Sequence, residues 1–216
     1  MKYLLNNFDK VSDYAQTHLY LALVPLLIGL AIAVPVGIAI QNVPWLRKIT
    51  VTIASIAFTI PSLALFVTIP SIAGLKVLDP LNVVIALTIY ATALLVRAVP
   101  EALDSVAPDV LDAATAMGFT SLRRTLTVEL PLAVPVLIAS IRVVTVTNIS
   151  LVSIGSLIGI GGLGQLFTEG YQRDYPDEIV AGIIAIVVLA LVFDAALYLT
   201  GRVLTPWART AKAVKR

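Results

Sequence analysis

The chain has 216 residues, 59% hydrophobic and 13% charged, with a formal net charge of +2 and a mean hydropathy of +0.97. A soluble domain carries about 25% charged residues, and a net charge this small and scattered makes no nucleic-acid surface. Without cysteine, and with His18 as the sole histidine, disulfides, thiolate catalysis and paired-histidine metal sites are excluded.

Asp9 and Asp13 interrupt any apolar signal core in residues 1–18. Leu4, Phe8, Val11 and Ala15 recur at helical spacing, which predicts a short helix in the membrane interface; a disordered tail is the alternative. His18 reads as an interfacial side chain.

Five runs then approach or exceed the ~20 apolar residues that cross ~30 Å of hydrocarbon: 19–41, 50–75, 82–99, 131–158 and 179–201. The expected fold is all-α, a polytopic membrane protein with a transmembrane domain over 19–201 and a basic tail over 202–216. Prolines 25, 35, 61, 70 and 135 lie inside spans, where neighbouring helices satisfy the freed carbonyls.

Basic residues orient the chain. With the N-terminus outside, the inner segments hold Arg47, Lys48, Arg97, Arg123, Arg124, Arg202, Arg209, Lys212, Lys215 and Arg216, against Lys2, Lys10, Lys76 and Arg173 outside. Trp45 and Trp207 then lie at the inner interface. The C-terminus is expected in the cytoplasm.

Thr59 and Ser62, beside Pro61, and Tyr90 and Asn148 in later spans are candidate pathway residues; a tyrosine face attracts quaternary ammonium groups. Their alternative role is helix packing. Among ionisable residues inside spans, Arg142 and Asp194 stand out. At ~1.5 Å per residue they lie about 16 Å and 10 Å from the same membrane face, which predicts an ion pair between the fourth and fifth spans, with a pathway role as the alternative.

Between the third and fourth spans, 101–130 is polar. Pro100 is expected to end the third span and Pro108 to open a new helix. Val110, Ala113, Ala114 and Met117 share one face by i, i+3, i+4, i+7 spacing, Gly118 closes the helix, and Thr120 or Ser121 caps the next one. The result is a bent helix pair with a shallow face, suited to a partner's groove.

Gly159 to Gly164 fit G-x-G-x-x-G but follow an apolar span instead of a strand, so they bind no dinucleotide. No lysine occurs between Lys76 and Lys212, so no P-loop exists. The chain is expected to bind no cofactor of its own. An ion-driven carrier needs repeats and several midplane acids, and an enzyme needs a catalytic constellation; both readings lack their residues.

Asp112-Ala113-Ala114, then Gly118, Val128 and Leu130-Pro131, resemble the EAA motif of ABC importer permeases, with Asp112 where that family usually has Glu. The resemblance implies that Asp112, Ala113, Ala114, Met117, Gly118, Leu130 and Pro131 form a coupling helix docking into an ATP-binding subunit. THLYLALVPLLIGLAIAVPVGI, TIPSLAL, VELPLAVPVLIASIR and IGIGGLGQLF resemble the osmoprotectant branch, which imports glycine betaine, choline and carnitine; methionine or other amino-acid importer permeases are the alternative. The family also implies a bacterial plasma-membrane location, an extracytoplasmic solute-binding protein near Gly161, Gly162 and Gly164, and a second permease, identical or paralogous.

Overall fold

The computed structural model describes residues 2–207, and every regular element among them is helical. A short α1 (Lys2–Asn6) leads into α2 (Phe8–Ile40), followed by α3 (Pro44–Thr59), α4 (Ser62–Ala73) and α5 (Leu81–Leu103). A loop carries α6 (Pro108–Ala116) and α7 (Ser121–Arg124), and a π-turn (Thr125–Glu129) leads into α8 (Leu130–Gly155). After a 3-10 turn (Ser156–Ile158) come α9 (Gln165–Gln172) and α10 (Pro176–Leu204).

Among the described residues, four helical stretches are long and apolar enough to cross a membrane: α2, α5, α10 and the stretch Ser121–Ile158 that contains α8. The second expected span, 50–75, is not one helix. α3 and α4 meet at 99°, because Pro61 supplies no N–H and holds Ile60 extended, at φ −66° and ψ 129°. The phenol of Tyr90 on α5 donates to the Ile60 carbonyl that the break exposes.

α5 is the most enclosed span and α10 the least. The most extensive contact in the molecule joins α2 to α5. Its cause is a stripe of small residues, Gly29, Ala33 and Gly37, which lets the two backbones approach. A Cβ added at Gly29 would lie 2.8 Å from Ala91 Cβ, and one at Gly37 would lie 2.6 Å from Val99 Cβ. Around this seam, Leu26, Ala33, Ala91, Leu95 and Val144 form one apolar cluster, and Leu21, Phe66, Leu87 and Ile149 anchor another.

Three expectations change. Residues 8–18 are the opening turns of α2, not a separate interfacial helix; Lys10 and Tyr14 hold them to Glu169 on α9. Pro100 lies inside α5, which continues to Leu103, since a packed membrane helix tolerates the missing N–H. α10 extends past residue 201 to Leu204, while Arg209, Lys212, Lys215 and Arg216 lie outside the described residues.

Candidate functional site

The polar excursion at one end of the bundle is ordered by local chemistry. Pro108 holds Ala107 extended and starts α6, with Asp109 in its first turn near the positive helix end. At the other end, Gly118 N–H donates to Thr115 O at 2.9 Å and Phe119 N–H to Ala114 O at 3.2 Å. These two bonds make a Schellman closure, and Gly118 takes the left-handed φ of +83° that it requires. A Cβ at Gly118 would meet nothing within 4 Å, so backbone conformation, not crowding, selects glycine here.

The exposed face of α6 differs from the expected one. Asp112, Ala113 and Met117 are exposed, Met117 by 71%, but Ala114 is turned inward and buried. Leu111 and Leu130 pack against the apolar cluster of Val99, Leu103 and Leu137, so the inward side of α6 rests on the bundle. Pro131 opens α8 in its first turn and is half-buried. Neither Thr120 nor Ser121 makes a side-chain cap to α7; both are exposed, so solvent can serve the free N–H groups.

Arg142 and Asp194 meet. The guanidinium donates from Nε to Oδ1 at 2.8 Å and from Nη2 to Oδ2 at 2.6 Å, a two-bond fork joining α8 to α10. Tyr198 places its ring 5.2 Å from the guanidinium carbon. Removing one member leaves the other charge without its counter-ion, whereas removing both leaves no charge. Asp194→Leu is therefore expected to lower the melting temperature in detergent, and Arg142→Leu with Asp194→Leu to recover most of the loss. Unchanged melting temperatures combined with lost transport would instead assign the pair to the solute path.

The candidate pathway residues separate into two groups. Thr59 and Pro61 are exposed at the α3–α4 bend, and Ser62 is half-buried beside them; the Thr59 hydroxyl donates to Ile56 O at 2.7 Å. Tyr90 and Asn148 do not line an open surface of this chain. Tyr90 is 2% exposed, packed edge-on against Phe58 with its hydroxyl committed to Ile60 O. Asn148 is fully buried and donates to Ala22 O at 3.2 Å. Both faces are turned into the bundle, where their polar atoms tie helices together.

At the opposite end, Gly162 and Gly164 are buried. Gly162 has φ +94° and lies against the His18 ring, and a Cβ at Gly164 would fall 2.6 Å from Ser153 O. Gly161 is half-buried beside Thr17. His18 is fully buried instead of interfacial. It accepts the Leu163 N–H at Nδ1, 3.1 Å, and donates from Nε2 to Ile149 O at 2.8 Å, pinning the glycine turn to α2 and α8. His18→Leu strands the Leu163 N–H, at a cost of about 1–3 kcal/mol. Its melting temperature is expected to fall clearly below that of the parent; an equal value would make the pin dispensable.

The same end carries an ionic cluster. Glu178 is fully buried and accepts from Tyr3 at 2.5 Å, Arg173 at 2.8 Å and Lys10 at 3.2 Å. Glu169 accepts from Lys10, from Tyr14 at 2.5 Å and from Arg173 at 2.8 Å. Burial raises the Glu169 carboxyl, but hydrogen bonds from Lys10 and Tyr14 and the charges of Lys10 and Arg173 outweigh it and hold it below the ordinary value. Beside the cluster, a cavity of about 420 Å³ is lined by Gln165, Thr168, Glu169 and Tyr171 among others. Among the described residues no group of three or more His, Cys, Asp or Glu is arranged to hold a metal ion.

The architecture has known counterparts. The chain is 35% identical over 207 residues to the osmoprotectant import permease protein OsmW of Salmonella typhimurium, covering 94% of this chain and 96% of that one. It is 28% identical over 206 residues to the glycine betaine/carnitine/choline transport system permease protein OpuCB of Bacillus subtilis, covering 95% and 94%. Among solved structures, a chain of the inward-facing MetNI methionine ABC transporter superposes with a TM-score of 0.78 at 25% identity, covering 90% of this chain and 96% of that chain. The family model for the binding-protein-dependent transport system inner membrane component matches residues 25–210. Helical spans, a polar excursion before α8 and similarity along nearly the whole length agree: the chain belongs to the family of binding-protein-dependent transport system inner membrane components.

Proposed function

We propose that this chain is the membrane subunit of an ATP-driven importer for osmoprotectants such as glycine betaine, choline or carnitine. In this reading it lies in a bacterial plasma membrane with its N-terminus outside and its C-terminus inside. The observation that carries the coupling role is α6, a short helix with Asp112, Ala113 and Met117 exposed at the end of the bundle and a left-handed stop at Gly118. Such a knob fits the groove of an ATP-binding subunit, which holds ATP and Mg. This chain itself carries out no covalent chemistry.

A second permease, identical or paralogous, completes the pathway. Ile49, Ile53 and Ile56 on α3 and Leu63 and Val67 on α4 are exposed and suit such a partner or lipid. Solute arrives from an extracytoplasmic binding protein. ATP closure draws the coupling helices together and opens the pathway outward; hydrolysis restores the inward state.

The solute class rests on the relatives, several of which are named for osmoprotectants. The likeness to MetNI favours methionine as the second reading. Uptake of labelled glycine betaine by cells producing the chain with its ATPase and binding protein separates the two. Saturable uptake that excess methionine leaves intact supports the osmoprotectant reading. Methionine uptake without betaine uptake would replace it.

A further inference from the structure

Beneath α6 lies a chain of polar contacts that ends on a different span. Glu129 closes the π-turn and is 1% exposed. Its Oε1 accepts from Arg124 Nε at 2.7 Å, and its Oε2 accepts from Gln41 Nε2 at 3.2 Å, just past the end of α2. Arg124 reaches the other way, donating from Nη1 to the Thr115 hydroxyl on α6 at 2.9 Å. That hydroxyl donates in turn to Leu111 O, within the same helix, at 2.8 Å.

The π-turn makes this chain possible. On an α-helix, residues five apart sit about 140° from each other, at ~100° per residue. Here Leu130 N–H bonds back to Thr125 O, five residues earlier. The widened turn swings Arg124 and Glu129 onto one side. Such turns are rare in helices and recur at functional sites.

We infer that Arg124 and Glu129 are positioning residues that make α6, the base of α8 and the end of α2 move as one body. The inference rests on the coupling role proposed for α6. Without this link, α6 is joined to the bundle by its connecting loops and by apolar contacts at Leu111 and Ala114. Apolar contacts are non-directional and let surfaces slide. Two charge-assisted bonds through one planar guanidinium fix direction. A displacement of α6 then reaches α2, and through the close α2–α5 seam the centre of the bundle.

The test uses the complete importer in proteoliposomes, measuring solute transported per ATP hydrolysed together with the amount of assembled complex. Arg124→Lys keeps the charge but offers a point donor that cannot serve Glu129 and Thr115 together. Thr115→Val removes only the exposed anchor on α6, and Thr115→Ser restores it. Arg124→Lys and Thr115→Val are expected to assemble and hydrolyse ATP normally while the ratio falls at least about fivefold, with Thr115→Ser near the parent. An unchanged ratio in Arg124→Lys and Thr115→Val overturns the inference, including the case in which only assembly falls. If the parent importer itself shows no ATP-driven uptake, the coupling reading fails first, and separately.

Discussion

Gly37→Leu is expected to remove nearly all correctly assembled protein from the membrane. The first added carbon alone would lie 2.6 Å from both Cβ and Cγ1 of Val99, and the Pro100 ring stands 3.3 Å away. Val99 is fully buried on α5, so it has no space to move into. Overfilling a packed core costs about 1–3 kcal/mol, occasionally more. Here the obstruction lies on the largest helix–helix seam in the molecule, and relief requires separating α2 from α5. That separation also pulls apart the cluster around Ala33, Ala91 and Leu95. Fluorescence-detected size exclusion of a tagged variant reads the outcome directly. A sharp peak at parental height and melting temperature would show that the seam is not built on small residues.

Gly118→Asp is expected to have the opposite profile, normal assembly with transport lost. No atom lies within 4 Å of the position a Cβ would take, so the side chain has room. Aspartate is among the few residues that visit the left-handed region, which keeps the strain at φ +83° small. The bundle should therefore form. What changes is the exposed end of α6, where a new carboxylate joins Asp112 on the surface offered to the ATP-binding subunit. The expected result is parental abundance, continued ATP hydrolysis and solute uptake reduced at least about tenfold, the effect of ~1.4 kcal/mol of lost coupling. Uptake at the parental rate would remove α6 from the coupling role.

Features with a local physical cause were legible in the chain. Apolar runs that approach or exceed the length needed to span the bilayer define α2, α5, α8 and α10. Pro108 and Gly118 bound α6 because one lacks an N–H and the other tolerates a positive φ. Arg142 and Asp194 were matched by depth alone, since an ionised group in a span needs a partner.

Features decided by distant residues were not legible. The 99° break at Ile60–Pro61 is held by Tyr90, thirty residues later, and proline by itself does not separate a kink from a break. Spans that are apolar on every side give no sign of which face turns inward, so the burial of Tyr90 and Asn148 followed from packing. Gly162 and Gly164 look like a flexible turn until His18 and Ser153 are set against them. The spacing of four from Gly29 to Ala33 to Gly37 is visible without a structure and marks the α2–α5 seam. Glu129 gave no such sign, because its link to Gln41 spans 88 positions.

The most direct test of the account is glycine betaine accumulation in proteoliposomes containing this chain, its ATP-binding subunit and its binding protein. The account predicts accumulation that requires ATP and Mg together with both partners, and that persists when ion gradients are collapsed. Accumulation by the chain alone, driven by an ion gradient without ATP, would contradict it.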